Sequence, residues 1–155
     1  KDNYETTYTN GDKTSTHSQG NFWGTALKYD IHKKLPIGYA IKGELIGPSI
    51  QSNHEKVEEL EYHVYDVFNI RTGKYLDPET RRIFCEYNLQ DVLHVPVTSV
   101  GKIFSDVADF DELQARVTGE SINPGTISEG RVYKSICGTV TFKAVSNQYL
   151  LKGGN

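Results

Sequence analysis

Two stretches of the chain show hydrophobic patterning with a two-residue period. Residues 39–46, "YAIKGELI", set Ile41 and Leu45 against Lys42 and Glu44, and residues 61–70, "EYHVYDVFNI", are aromatic and β-branched. Both patterns predict strands. Between them "QSNHEKVEEL" is polar and predicts a connector. Upstream, Trp23, Leu27, Ile31 and Leu35 recur at helical spacing. They predict one helix over residues 21–35, with Asn21 as N-cap and Pro36 as its stop.

Downstream, "RTGKY" predicts a turn with Gly73 at positive φ. "DPETRRIFCEY" predicts a helix capped by Asp77 with Pro78 at its first position. "VLHVPV" predicts a short edge strand because of Pro96. "FDELQARVTG" predicts a helix begun by Asp109 or Asp111 and ended by Gly119. "EGRVYKSICGTVTFKAVS" predicts two strands with a turn near Gly138. The sum is α+β, with helices set among largely antiparallel sheets. Residues 1–20 are polar and predict an exposed loop or disordered N-terminal end, leaving 21–155 as one domain.

Bulk composition narrows the function without choosing it. The 155 residues carry a net charge of −3, so any anion-binding surface must be a local cluster. No apolar run is long enough to span a membrane. Two cysteines, Cys85 and Cys137, do not make a secreted disulfide scaffold. A reduced, intracellular setting is expected. The five histidines show no zinc-ligand spacing.

Charged groups recur inside apolar strands at three places. Glu44 lies in "GELIG", Glu129 leads into "GRVYK" with Lys134, and Lys143 sits in "TFKAV". A charge buried in a strand costs several kcal/mol unless paired. Each is also explained by a solvated strand face. Together they offer two carboxylates, suited to a divalent cation or ribose hydroxyls, and lysines suited to phosphate.

Their order along the chain resembles the later motifs of covalent nucleotidyltransferases, and more closely those of ATP-dependent RNA ligases. "KGELIGPSIQSN" resembles the third motif with its GP-x-IQ-x-N extension, and "EYHVYDVFNI" the aromatic strand that follows. "EGRVYKS" resembles the fourth motif and "FKAVSNQYLLK" the fifth. The helical "NFWGTALKYDIHKKL" sits where that family carries a helix. The resemblance covers residues 21–152.

It implies a nucleotidyltransferase (ATP-grasp-like) adenylation domain that works with ATP and Mg2+ or Mn2+. RNA 3′-OH and 5′-phosphate ends would be joined through enzyme-AMP and RNA-adenylate intermediates, in RNA repair or a related process. Glu44 would hold the ribose hydroxyls or orient the metal's water. Glu129 would serve the metal. Tyr62 would stack on adenine, with Tyr65 as the second choice and a core aromatic otherwise. Lys143 would meet the α-phosphate. Lys134, Arg131 and Lys152 would touch phosphate or RNA. Gln51 and Asn53 would read the nucleotide or shape their loop. His63, next to the stacking position, would point away from it by alternation, and Asp66 would accept a structural hydrogen bond. The expected location is the cytoplasm, that of a host cell if phage-encoded, with no membrane partner.

Two departures qualify the resemblance. The family's nucleophilic lysine lies in a K-x-D-G motif, and these 155 residues contain none. "NGDK" at residues 10–13 has the wrong order. The expectation is that the first motif lies upstream of Lys1 and that this chain alone does not adenylate a lysine. Some relatives also carry a second lysine two positions after the first in the fifth motif, where Val145 stands here. Alternatives are a non-catalytic nucleotide- or RNA-binding module of the same fold, and a DNA ligase of the same superfamily.

Overall fold

In the computed structural model the described residues are 8–10 and 13–15 (backbone only), 20–105, 107–137 and 139–152. Near the start, β1 (Tyr8–Asn10) pairs antiparallel with β2 (Lys13–Ser15). The expected single helix over 21–35 is two. The first, α1 (Asn21–Lys28), is capped by Gly20 rather than Asn21. The second, α2, is Ile31–Lys34. Between them Asp30 turns left-handed at φ 51, a conformation Asp tolerates better than most residues. Leu35 leaves the helix extended, as the residue before a proline should.

The predicted strand pair forms. β3 (Tyr39–Ile46) runs antiparallel to β4 (Glu61–Asn69), and β4 pairs in turn with β5 (Lys74–Tyr75) after the Gly73 turn. The register jumps from Lys42↔Asp66 to Gly43↔Val64, so Tyr65 is an extra, bulged residue in β4. The helix α3 (Pro78–Asn88) starts as predicted, with Asp77 accepting from the Glu79 and Thr80 amides. It covers one face of the sheet. There Val64, Val67, Cys85, Leu89 and Val92 form the buried core, with Ile31, Leu35, Ile41 and Tyr62 packed around them. Each fully buried aliphatic side chain contributes roughly 1.5–3 kcal/mol.

The predicted strand at "VLHVPV" is absent. The segment instead makes one parallel bridge between Val64 and His94. Val64 N donates to Leu93 O at 2.9 Å, and Val95 N to Val64 O at 3.0 Å. Pro96, lacking an N–H, cannot extend the ladder. Arg81, 4% exposed, fastens the join by donating to both Val64 O and Val95 O at 2.9 Å.

The second half holds α4 (Phe110–Val117), capped by Asp109 as predicted, and the antiparallel pair β6 (Gly130–Lys134) and β7 (Thr141–Val145). The expected turn at Gly138 lies outside the described residues. Gln114 staples α4 to β7 by donating to Val145 O and accepting from Asn147 N, both at 3.0 Å. A last helix, α5 (Asn147–Leu151), is capped by Ser146 and was not foreseen. No helix among the described residues is long and apolar enough to cross a membrane.

Candidate active site

Side-chain alternation gives the β3–β4 sheet two unlike faces. Ile41 and Leu45 face the core, while Lys42 and Glu44 face out. Glu44 is exposed rather than buried, so its charge carries no large desolvation cost where it stands. It is paired in register with His63, which therefore shares its face. His63 Nε2 lies 2.8 Å from Glu61 Oε2.

Glu129, immediately before β6, lines the same cavity as Glu44. The cavity is about 70 Å³ and is also walled by Ile50, Gln51, His54, Glu55 and Tyr149. Lys143 on β7 donates to Glu129. Next to Glu129, Gly130 has φ 151, and a Cβ there would collide with the Ala144 carbonyl. The close approach of the two strands therefore requires a glycine beside the carboxylate.

The other candidate residues divide. Lys134 crosses to the β3–β4 sheet, forms an ion pair with Asp66 and donates to Tyr65 O at 3.3 Å. Its ammonium stands 5.8 Å from the centre of the Tyr65 ring. Arg131 and Lys152 are exposed and do not line the cavity. Tyr62 packs at the core and lines a separate apolar cavity of about 230 Å³ with Phe22, Trp23, Ile31, Ile41 and Leu45. Burial pushes its phenol pKa up, and Tyr65 adds to the rise. Tyr65 is exposed, and its bulge sets it beside Lys134 and Asp66. Of the two tyrosines, Tyr65 neighbours the charged groups and Tyr62 neighbours the core. His63 shares the Glu44 face and so points away from Tyr62, as alternation predicts.

The loop after β3 contains what sequence reading left open or missed. Gln51, Ser52 and Asn53 are consecutively left-handed, at φ 40, 60 and 51. Asn53 donates to Val57 O at 2.8 Å and accepts from Val57 N at 3.2 Å, so it shapes the loop. Gln51 lines the cavity. His54 and Glu55, inside a segment read only as a polar connector, line it too. The ring of Tyr149 on α5 meets His54 edge-on at 5.0 Å. The legible signal for this loop was Ser52-Asn53, since Asn tolerates left-handed backbone better than most residues other than glycine.

The donor set suits a hard cation in part. Among the described residues, no group of three or more His, Cys, Asp or Glu is arranged to hold a metal. Two of the three carboxylates lining the cavity, Glu44 and Glu129, still match Mg2+ or Mn2+, which take one or two protein oxygens and complete their shell with water and substrate phosphate.

Comparison with known proteins identifies the family of the chain. The sequence model of the RNA ligase family matches residues 4–146. No curated protein matches. Among solved structures, the chain is similar to a Naegleria gruberi RNA ligase mutant with ATP and Mn, at 26% identity and a TM-score of 0.77 over 96% of this chain. It resembles the same ligase with PPi at 27% identity and 0.77. A third match, another mutant with ATP and Mn, is 30% identical with a TM-score of 0.75 over 92% of this chain. This chain spans 48% of the first two structures and 42% of the third. With the family matched over nearly its whole length and the fold matched with it, the chain belongs to the RNA ligase family.

Proposed function

We propose that this chain forms the nucleotide-handling wall of an ATP-dependent RNA ligase that joins 3′-OH and 5′-phosphate RNA ends. One observation carries the reading. Glu44 and Glu129, from two separate sheets, line one cavity, and Lys143 is held against Glu129.

In this reading Glu129 and Glu44 hold a divalent cation, which screens phosphate charge when bound. Lys143 exchanges its carboxylate partner for the α-phosphate and stabilises the charge that develops there. Tyr65, rather than Tyr62, takes the adenine, since its exposed ring stands on the charged side of the sheet. Lys134, engaged with Asp66, orients that strand and offers its charge to phosphate second. Gln51 and Glu44 meet ribose or base polar groups in this reading. Lys152 and Arg131 contact RNA outside the cavity.

The nucleophile is not in these 155 residues, because K-x-D-G is absent. In this reading the nucleophilic lysine is supplied from outside these residues. The same absence favours the second reading, a module that binds nucleotide or RNA without catalysis. Incubating full-length protein with α-labelled ATP and Mn2+ separates them. Label bound covalently, and passed on to a 5′-phosphorylated RNA, supports the ligase. ATP binding with no covalent label supports the module.

A further inference from the structure

Glu55 stands in the wall of the same cavity, yet it faces away from Glu129 in its bonding. Its Oε1 accepts from Ser121 Oγ at 2.7 Å. Its backbone carbonyl accepts from Asn123 Nδ2 at 2.9 Å. Thr126 Oγ1 lies 3.4 Å from Oε2, but its proton goes to Asn123 O at 2.7 Å. The neighbouring His54 Nε2 donates to Ile127 O at 2.7 Å. Two consecutive residues of one loop therefore grip one short segment, residues 121–127.

That segment leads to Glu129 and is braced by backbone hydrogen bonds of its own. Ser121 N donates to Thr126 O at 3.0 Å, and Ser128 N to Gly119 O at 2.8 Å. Thr126 is 4% exposed. Glu129 follows after Ser128, and its carbonyl accepts from Ser146 N at 2.8 Å. The gripping loop is equally constrained, through its left-handed run and the Asn53–Val57 bracket. It departs directly from β3, three residues after Glu44 at Gly47. Left-handed backbone is strained for these residues, so it persists only where surrounding contacts hold it.

We infer that Glu55 is a positioning residue: its hydrogen bond to Ser121 sets the spacing of Glu44 and Glu129, and so the cation affinity of the pair. The inference rests on the proposed role of those two carboxylates. Glu55 acts here through its acceptor oxygen, not through its charge. Glutamine keeps that oxygen and removes the charge, whereas alanine removes both.

Mn2+ alone is titrated into full-length protein and its free signal followed by electron paramagnetic resonance, with thermal unfolding as a control. Glu55→Ala should weaken Mn2+ binding on the order of tenfold, as loss of an outer support does. Glu55→Gln should remain close to the unsubstituted protein. Ser121→Ala should reproduce the alanine effect, and the double variant should add little to either, as residues acting through one bond do. Should Glu55→Ala fail to fold, the Ser121→Ala and Glu55→Gln pair carries the same test. Glutamine binding as poorly as alanine would make Glu55 a charged ligand and overturn the inference. So would unchanged binding in both alanine variants while Glu129→Ala abolishes it. If Glu129→Ala itself leaves Mn2+ binding intact, the carboxylate site is wrong and the inference goes with it.

Discussion

Lys143 donates to Glu129 from the neighbouring strand, so the cavity holds one carboxylate already matched by a cation of its own. The two side chains are 42% and 44% exposed. A pair that open to solvent adds only about 0–1 kcal/mol to stability. Lys143→Ala should therefore leave the melting temperature nearly unchanged. Covalent nucleotide transfer by the full-length protein should fall about 100-fold, the scale of losing one preorganised charge donor. A rapid-quench assay of label transfer beside a thermal melt checks both halves.

The tyrosines of β4 should separate by assay. Tyr65→Ala should raise the ATP concentration for half-maximal labelling about tenfold, as loss of one stacking face does, with stability kept. Tyr62→Ala should lower stability by about 2 kcal/mol, since a half-buried ring leaves a gap at the core. Denaturant melts and ATP titrations of both variants decide. The reverse pattern would return adenine to Tyr62.

Asp77 offers a test through pH. The Thr80 hydroxyl, then the Thr80 amide, hold its carboxyl below the usual carboxylate range. A folded pKa below the unfolded one means stability that is present above the unfolded value and lost as pH falls through the folded one. Asp77→Ala should cost about 1 kcal/mol near neutrality, as loss of an N-cap does. The gap between variant and parent should close on acidification, followed by denaturant melts across pH.

The two cysteines should differ in reactivity. Hydrogen bonding with the Ser135 and Thr139 side chains brings the Cys137 thiol down to about 7, and it is exposed. Burial pushes the Cys85 thiol up. Iodoacetamide should label Cys137 with a midpoint near neutrality and leave Cys85 untouched until the protein unfolds. Ser135→Ala should move the Cys137 midpoint upward, read by mass spectrometry of timed samples.

Local chemistry explains what the sequence could and could not reveal. Asp77-Pro78 and Asp109 announce their helices because capping depends on adjacent residues alone. Glu44, Glu129 and Lys143 stood out because charge interrupts apolar strands. Which tyrosine faces the charged groups was illegible, because alternation alone does not show a bulge. The break at Asp30 was hidden by helical spacing that continues across it. The strand expected at residues 92–97 failed because a single bridge, not a ladder, joins it to β4. His54, Glu55 and Tyr149 were missed because their role depends on contacts between distant segments.

Arg81 has a consequence for how the protein opens. Its guanidinium is buried and bound to two carbonyls, one in β4 and one in the 92–97 segment. Peeling that segment away would leave a desolvated cation short of an acceptor, which is costly. The segment should therefore not fray like an ordinary loop. Its Val95 amide and that of Val64 should exchange with solvent only when the whole core unfolds, which makes an irregular stretch of chain part of the slowest-exchanging unit of the protein.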